Sequence, residues 1–187
     1  MNIYDFDKTI YDGDSSIDFF KYSLKKHKCL ILLLPKICIA LVLYKCKLIS
    51  KASFKSTFFS IVKKMKNLDD DVENFWKTNK KKIKEFYLNQ KRNDDIIISA
   101  SPQFLLEPIC KELGVKLIAS NFDKRTGLLI GNNCYGNEKV NRLKEIGIEN
   151  CDEFYSDSKS DTPMKCIAKK AFIVRKETIE EWRWKCE

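Results

Sequence analysis

The feature that most constrains the fold is the alternation of short apolar runs with amphipathic stretches after Asn93. The apolar runs predict strands at 96–99, 116–119, 153–156 and 171–174. The stretches between them predict helices at 101–114, 138–146 and 161–169, with a hairpin at 122–134. Strands that alternate with helices form a parallel sheet covered by helices on both faces. The sequence therefore predicts an α/β fold.

The first half of the chain has a different pattern. Residues 2–6 predict one short buried strand, and Asp14 or Ser15 can cap a helix that follows it. Helical spacing then continues, with helices predicted near 51–66 and 69–90. We therefore expect a core formed by 1–13 and 93–187, with an all-helical insertion at 14–92.

Positive charge is concentrated in the insertion. The whole chain has a net charge of +9, whereas residues 21–92 hold 18 Lys and one Arg against five acidic residues, a net +14. The remainder of the chain must therefore sum to −5. A basic segment of this kind attracts phosphorylated small molecules, nucleic acid or anionic membranes, although a solvated lysine-rich surface explains the same composition.

Eight cysteines are scattered through the chain without a C-x-x-C pair, and His27 is the single histidine. This spacing argues against a zinc site. No secretory signal precedes the first apolar stretch, so we expect reduced thiols and a cytoplasmic location, with association with a membrane as an open alternative. The oligomeric state stays open, and Trp182 and Trp184 are candidates either for docking on the core or for an interface.

Polar side chains stand where the predicted strands end. Asp5 and Asp7 follow the first strand, Ser99 ends the second, and Asp157 follows the strand at 153–156. Ligands of open parallel sheets bind outside the carboxyl ends of the strands. We therefore expect these four residues to converge on one crevice.

Several carboxylates at one sheet edge repel one another unless a cation lies between them. Mg²⁺ is the expected cation because it is hard and prefers oxygen ligands. Hydrolysis of a phosphate ester needs such a cation, donors for the phosphoryl oxygens, a nucleophile and a general acid. Asp5 can serve as the nucleophile and Asp7 as the acid, while Ser99 and Lys139 supply donors.

Four segments resemble the motifs of the haloacid dehalogenase (HAD) superfamily of phosphohydrolases. Asp5-Phe6-Asp7-Lys8-Thr9 is similar to its D-x-D-x-T motif, and Ser99 is similar to the serine or threonine of its second motif. Lys139 is similar to the lysine of the third motif, and Asp157-Ser158-Lys159-Ser160-Asp161 to an acidic D-x₃-D fourth motif. The segments occur in family order and span 5–161. The resemblance implies a Rossmann-like three-layer core with an inserted helical cap of the C1 type.

The resemblance also implies a role for each of these residues. Asp5 would form an aspartyl-phosphate intermediate and bind Mg²⁺, and Asp7 would be the acid/base, with its backbone carbonyl on the metal. Thr9 would support the loop and, with Ser99 and Lys139, the phosphate site. Asp157 would ligate Mg²⁺, and Asp161 would lie beside it to orient Lys139 or metal-bound water.

The insertion resembles the cap of the phosphoserine-phosphatase-like branch, subfamily IB. Ser99-Ala100-Ser101-Pro102 departs from the Ser-Gly-Gly of phosphoserine phosphatases and is closer to phosphatidylglycerophosphatase C-like members. The apolar run at 29–44 is shorter than the roughly 20 residues that span a bilayer. We expect it to be buried in the cap core as one helix, or as two helices separated at Pro35, with contact at a membrane interface as the alternative.

The sequence thus predicts a Mg²⁺-dependent phosphomonoesterase that acts on a small soluble or lipid phosphate. Two alternatives stay open. One is a catalytically idle scaffold whose basic cap binds an anionic membrane or nucleic acid, although no aromatic-rich basic strand favours RNA. The other is a phosphotransferase that passes the phosphoryl group to an alcohol.

Overall fold

The computed structural model describes residues 1–176 and 178–183. Six strands and eight α-helices are described in this part of the chain. The strands are β1 (Asn2–Tyr4), β2 (Ile96–Pro102), β3 (Lys116–Ser120), β4 (Cys151–Ser156), β5 (Ala168–Arg175) and β6 (Thr178–Glu181). The helices are α1 (Ser15–Lys26), α2 (Leu34–Lys45), α3 (Lys51–Phe59), α4 (Leu68–Asn79), α5 (Glu85–Gln90), α6 (Gln103–Leu113), α7 (Asn137–Glu145) and α8 (Thr162–Lys165).

The strands form one sheet with the order β3-β2-β1-β4-β5-β6. All neighbouring pairs are parallel except β5 and β6, which are antiparallel. In the centre of the sheet, Ile3 of β1 pairs with Ile96 of β2 on one side and with Phe154 of β4 on the other. The predicted α/β class and parallel sheet are confirmed.

Alternation along β1 sends successive side chains to opposite faces of the sheet. Ile3 packs into an apolar cluster with Leu143 of α7 and Met164 of α8. Tyr4 packs into the cluster on the other face, which continues into the insertion. Layers of helices on both faces therefore bury the sheet, as the sequence predicts.

The elements described between β1 and β2 are helical, from Ser15 to Gln90. Asp14 caps α1 by accepting a hydrogen bond from Ile17 N at 3.0 Å, as predicted. The insertion is tied to the core by Trp76 of α4, whose indole Nε1 donates to Leu105 O of α6 at 2.6 Å. Apolar burial and this long-range hydrogen bond together hold the insertion against the sheet domain.

Several predicted boundaries differ from the structure. The helix predicted at 161–169 is only one turn long, because a 3₁₀ turn (Lys159–Asp161) precedes α8 and β5 already begins at Ala168. Strand β6 was not predicted, since its exposed sequence has little apolar character. The hairpin predicted at 122–134 contains a single bridge, between Phe122 and Leu129. The helices predicted at 51–66 and 69–90 are each interrupted by 3₁₀ turns.

The apolar run at 29–44 forms a 3₁₀ segment (Lys28–Leu33) followed by α2, with Pro35 in the first turn of α2. The predicted burial of this run is wrong for most of α2, where only Ile37 and Ala40 are buried. Among residues 1–176 and 178–183, no helix combines the length and apolar character needed to cross a bilayer.

The cysteines mostly follow the prediction. Six of them are free thiols, namely Cys29, Cys38, Cys46, Cys110, Cys134 and Cys151. Cys166 is disulfide-bonded, so the prediction of a reduced thiol is wrong there. Trp182 is buried and stacks on Phe154 with ring centroids 6.5 Å apart, whereas Trp184 lies outside the described residues.

Candidate active site

Asp5 lies at the carboxyl end of β1, at the edge of the sheet. Its backbone N–H donates to Tyr155 O at 2.9 Å and so extends the pairing of β1 with β4 by one residue. The Asp5 side chain is only 9% exposed. Burial raises the pKa of its carboxyl to about 7, while the nearby charge of Lys139 acts in the opposite direction.

Lys139 is the group that compensates this buried acid. Gly136 precedes α7 with φ 60° and ψ −128°, a conformation that favours glycine, and this turn directs the first turn of α7 toward the site. The Lys139 Nζ donates to Asp5 Oδ1 at 2.6 Å and to Asp161 Oδ2 at 2.8 Å. Burial lowers the pKa of Lys139, but the two carboxylates outweigh it and the net shift is upward. An ammonium therefore sits between two carboxylates.

Asp161 lies in the 3₁₀ turn after β4. Its Oδ2 accepts a second hydrogen bond, from Ser156 Oγ at 2.8 Å. Its Oδ1 is buried and has no hydrogen-bond partner in the part of the chain that the structure describes. An unpaired buried carboxylate oxygen is costly, so it marks a position where a further donor or cation fits.

Thr9 connects Asp5 with Asp157. The Thr9 Oγ1 donates to Asp5 Oδ2 at 3.5 Å and accepts from Asp157 N at 2.9 Å. One hydroxyl therefore bridges the ends of β1 and β4. Burial also raises the pKa of the Asp157 carboxyl. Asp5 and the backbone of Asp157 therefore both lie within hydrogen-bond distance of Thr9.

Asp7 lies on the same loop, which turns through a left-handed conformation at Lys8, where φ is 60°. The Asp7 Oδ1 accepts from Ser15 N at 2.6 Å, and its Oδ2 accepts from Ser101 Oγ at 2.5 Å. Burial and the charge of Asp14 raise the pKa of the Asp7 carboxyl to about 6, against the hydrogen bonds from the two serines. Asp7 is thus held at the junction of the loop, the insertion and β2.

Ser99 is buried on β2 with 1% exposure. It does not end the strand as predicted, because β2 continues to Pro102 and α6 begins at Gln103 instead of at 101. The Ser99 Oγ accepts a hydrogen bond from Ser101 N at 3.1 Å. Ser101 in turn connects Ser99 to Asp7 and to the insertion, because Ser16 Oγ lies 2.9 Å from Ser101 Oγ. Ser99 and Asp7 therefore share one polar network.

Sequence reasoning assigned no role to Ser101 or to Lys55, and both belong to this network. The Lys55 Nζ donates to Ala100 O at 2.5 Å and to Asn133 Oδ1 at 2.9 Å, so α3 reaches β2 at the residue that follows Ser99. Burial and the charge of Lys51 lower the pKa of Lys55 to about 8. The sequence signal that could have identified Ser101 is that a serine stands there in place of the second glycine of Ser-Gly-Gly. No such signal existed for Lys55, because it is one of many lysines in the insertion.

The carboxylates at the sheet edge fit a divalent cation. Lys139 pairs with Asp5 and Asp161, while the positive charges that act on Asp157 come from Lys8 and, more weakly, from Lys139. Asp161 Oδ1 has no hydrogen-bond partner among the described residues. The described residues contain no group of three or more acidic, Cys or His side chains arranged to hold a metal. The metal site expected from the sequence, made of Asp5, Asp157 and the backbone carbonyl of Asp7, uses only two such side chains and stays a prediction.

Comparison with known proteins assigns the fold and the family. The structure is similar to a protein of unknown function from Bordetella pertussis Tohama I, with a TM-score of 0.73, 19% identity and coverage of 91% of this chain and 87% of that chain. It is also similar to a phosphoserine phosphohydrolase-like protein from Francisella tularensis, with a TM-score of 0.59, 16% identity and coverage of 91% and 84%. These likenesses show the shared fold.

Sequence comparison adds a relative and a family. Protein CicA of Caulobacter vibrioides is 36% identical over 81 residues, which cover 39% of this chain and 36% of that protein. The match thus spans little more than a third of its length. The sequence model of the haloacid dehalogenase-like hydrolases matches residues 3–165, a range that contains all four motif segments. The chain belongs to the haloacid dehalogenase-like hydrolase family.

Proposed function

We propose that this chain is a Mg²⁺-dependent phosphomonoesterase that works through an aspartyl-phosphate intermediate. The single observation that carries the proposal is the buried Lys139, which joins Asp5 at the end of β1 to Asp161 after β4. A lysine between two carboxylates, beside a hydroxyl that bridges to Asp157, forms a site for a phosphoryl group and a cation.

Asp5, Asp157 and the backbone carbonyl of Asp7 would hold Mg²⁺. The ion would supply positive charge for the phosphoryl oxygens and let Asp5 stay ionised in its buried position. Lys139 would donate to a phosphoryl oxygen, and Ser99 would donate through its hydroxyl hydrogen, since the Ser99 oxygen already accepts from Ser101 N. Asp161 would keep Lys139 in position.

In the first step, an Asp5 carboxylate oxygen attacks phosphorus, and the bond from phosphorus to the ester oxygen breaks. Asp7 gives its proton to the leaving oxygen. In the second step, water attacks phosphorus, Asp7 takes a proton from that water, and the bond from phosphorus to Asp5 breaks. Phosphate leaves, and both carboxyl groups return to their starting states. Ser15 and Ser101 support this role because they fix the orientation of Asp7.

The substrate we propose is a small soluble or lipid phosphate, with the helical segment 14–92 acting as the cap. Lys55 supports a role of the insertion in substrate binding, because it extends from α3 to Ala100 and its pKa responds to Asp7. A cytoplasmic location and subfamily IB membership stay predictions on the same motifs.

The test is hydrolysis of p-nitrophenyl phosphate with Mg²⁺, with EDTA, and with Mg²⁺ restored. We expect activity only with the metal, and a loss of at least about a thousandfold in Asp5→Asn. Asp12→Asn is the matched control, because it makes the same chemical change at an exposed position of the same loop. Activity in Asp5→Asn equal to that of the control would contradict the mechanism.

Product analysis separates the hydrolase from the phosphotransferase. With glycerol or ethanol added, a hydrolase releases inorganic phosphate in a constant ratio to p-nitrophenol. A phosphotransferase releases less phosphate as the alcohol concentration rises. No turnover in the wild type with any of a panel of phosphorylated metabolites and lipids would favour the idle scaffold.

A further inference from the structure

Helix α2 exposes apolar side chains to solvent in the described structure. Its buried residues, Ile37 and Ala40, lie on one side of the helix. The opposite side carries Pro35, Ile39, Val42 and Cys46 at helical spacing, and all four are exposed. A helix that carries apolar side chains on its exposed side as well as on its buried side is normally covered by protein or in contact with a membrane.

The segments flanking α2 extend this exposed apolar area. Leu32 before the helix is 82% exposed, and Leu48 after it is 71% exposed. On the helix itself, Ile39 is 61% and Val42 is 59% exposed. We call these four residues together with Ile31, which is 52% exposed, the α2 surface. Several large apolar side chains exposed along one helix and its flanking segments mark an interaction site.

Lysines border the α2 surface. Lys36 and Lys45 lie on the two sides of the stripe that contains Ile39 and Val42, while Lys28 and Lys47 lie near its ends, and all four are exposed. Between Asp18 and Asp69 the chain contains 12 lysines and not one acidic residue. Lysines on either side of an apolar stripe can place their stems along a lipid surface and their charges at the head groups.

The combination of an exposed apolar stripe with flanking lysines favours one kind of partner over the others. A second copy of the chain would bring the same lysines against one another, and like charges oppose that contact. Nucleic acid would pair with the lysines but leave the apolar stripe in water. An anionic bilayer interacts favourably with both the lysines and the apolar stripe, because its head groups attract the lysines and its interfacial region buries the apolar side chains.

We infer that the α2 surface docks this protein on anionic lipid bilayers. Docking would hold the insertion at the lipid surface. Tyr44 of α2 stacks on Phe54 of α3, and Lys55 of α3 contacts Ala100 of β2, so the docked helix is connected to the candidate site. The inference stands on the α2 surface alone, so it can fail while the proposed hydrolase holds.

The test is co-sedimentation of the full chain with vesicles of phosphatidylcholine, alone or mixed with phosphatidylserine. We expect binding to the mixed vesicles to be at least about tenfold stronger and to be lost at high salt. The double variant Ile39→Asp/Val42→Asp should lose binding, whereas Ile146→Asp, at a position 44% exposed on the core, should retain it. Thermal unfolding checks that each variant is folded.

The charge variant Lys36→Gln/Lys45→Gln keeps the apolar stripe and provides a second test if the aspartate variant does not fold. We expect about tenfold weaker binding to the mixed vesicles, with Lys111→Gln/Lys144→Gln, at two exposed lysines on the core, as the control. Sedimentation velocity without lipid tests the competing partner, a second copy of this chain. A dimer that Ile39→Asp/Val42→Asp dissociates would overturn the inference, as would wild-type protein that does not bind anionic vesicles.

Catalysis and docking are separable in the same variants. Asp5→Asn should bind mixed vesicles as the wild type does. Ile39→Asp/Val42→Asp should hydrolyse p-nitrophenyl phosphate in solution at the wild-type rate. Vesicle binding that disappears in Asp5→Asn would also overturn the inference, because docking would then depend on the site and not on the α2 surface.

Discussion

The sheet edge and the α2 surface are two opposite exceptions to the rule that apolar groups are buried and charges are exposed. At the sheet edge, Asp5, Lys139 and Asp161 are all buried, and each has a charged partner within the fold. On the α2 surface, Leu32 and Ile39 are exposed and uncovered by the described chain. Buried charge that is compensated internally indicates a site for a small charged ligand. Exposed apolar area indicates a larger partner outside the chain.

The largest effect should come from removing the compensating charge at the sheet edge. In Lys139→Met, Asp5 and Asp161 stay buried without a counter-charge, and we expect a loss of about 3–5 kcal/mol in the free energy of unfolding. Hydrolysis should also disappear. Lys144→Met on the same helix is the control, since Lys144 is exposed. Urea unfolding measures the stability of the two variants, and p-nitrophenyl phosphate hydrolysis measures their activity. Equal stability of the two variants would show that Lys139 does not compensate the acids.

A smaller effect should come from the junction between the core and the insertion. A Cβ at Gly127 would lie 2.1 Å from Phe59 O, so the insertion must move in Gly127→Ala. Gly131→Ala is the matched control, because Gly131 has nearly the same φ, 70° against 69°, and a Cβ added there meets no atom of the described residues within 4 Å. We expect Gly127→Ala to lose about 1–3 kcal/mol more than the control, because only the clash differs. Thermal or urea unfolding gives the difference, and equal losses would mean that this contact is easily displaced.

The smallest effect should come from Lys55, which carries charge from the insertion to the site. Because its pKa is lowered to about 8, Lys55 is charged below that pH and neutral above it. Affinity for a phosphorylated substrate should therefore fall as the pH rises through about 8, and Lys55→Arg, which keeps its charge, should lack this decline. We expect Lys55→Met to raise KM about tenfold, or about 1.4 kcal/mol.

The control for Lys55→Met is Lys63→Met, which removes the same charge from an exposed position of the insertion. Steady-state kinetics from pH 6.5 to 9.5, a range of about 1.5 units on either side of that pKa, separate the two variants. The same pH profile in the wild type and in Lys55→Arg would mean that Lys55 does not contact the substrate.

The candidate site was predictable from local pattern because the carboxyl ends of parallel strands meet at one edge of a sheet. Asp5, Ser99 and Asp157 were placed by that rule, and Lys139 by its position in the motif order. The contact of Ser101 with Asp7 joins residues 94 positions apart, and that of Lys55 with Asn133 joins residues 78 apart. No local periodicity encodes such pairs, so sequence reasoning missed both residues.

By itself, the sequence determined that strands and helices alternate and that acidic residues follow the strands, because these properties depend on residue spacing. Only the tertiary structure decided which buried charges are compensated and which apolar residues stay exposed. The run at 29–44 shows the reason. Its apolar character is a local property, but the burial of each side chain depends on what the rest of the chain packs against it, and α3 covers one side of α2 while the other side faces solvent.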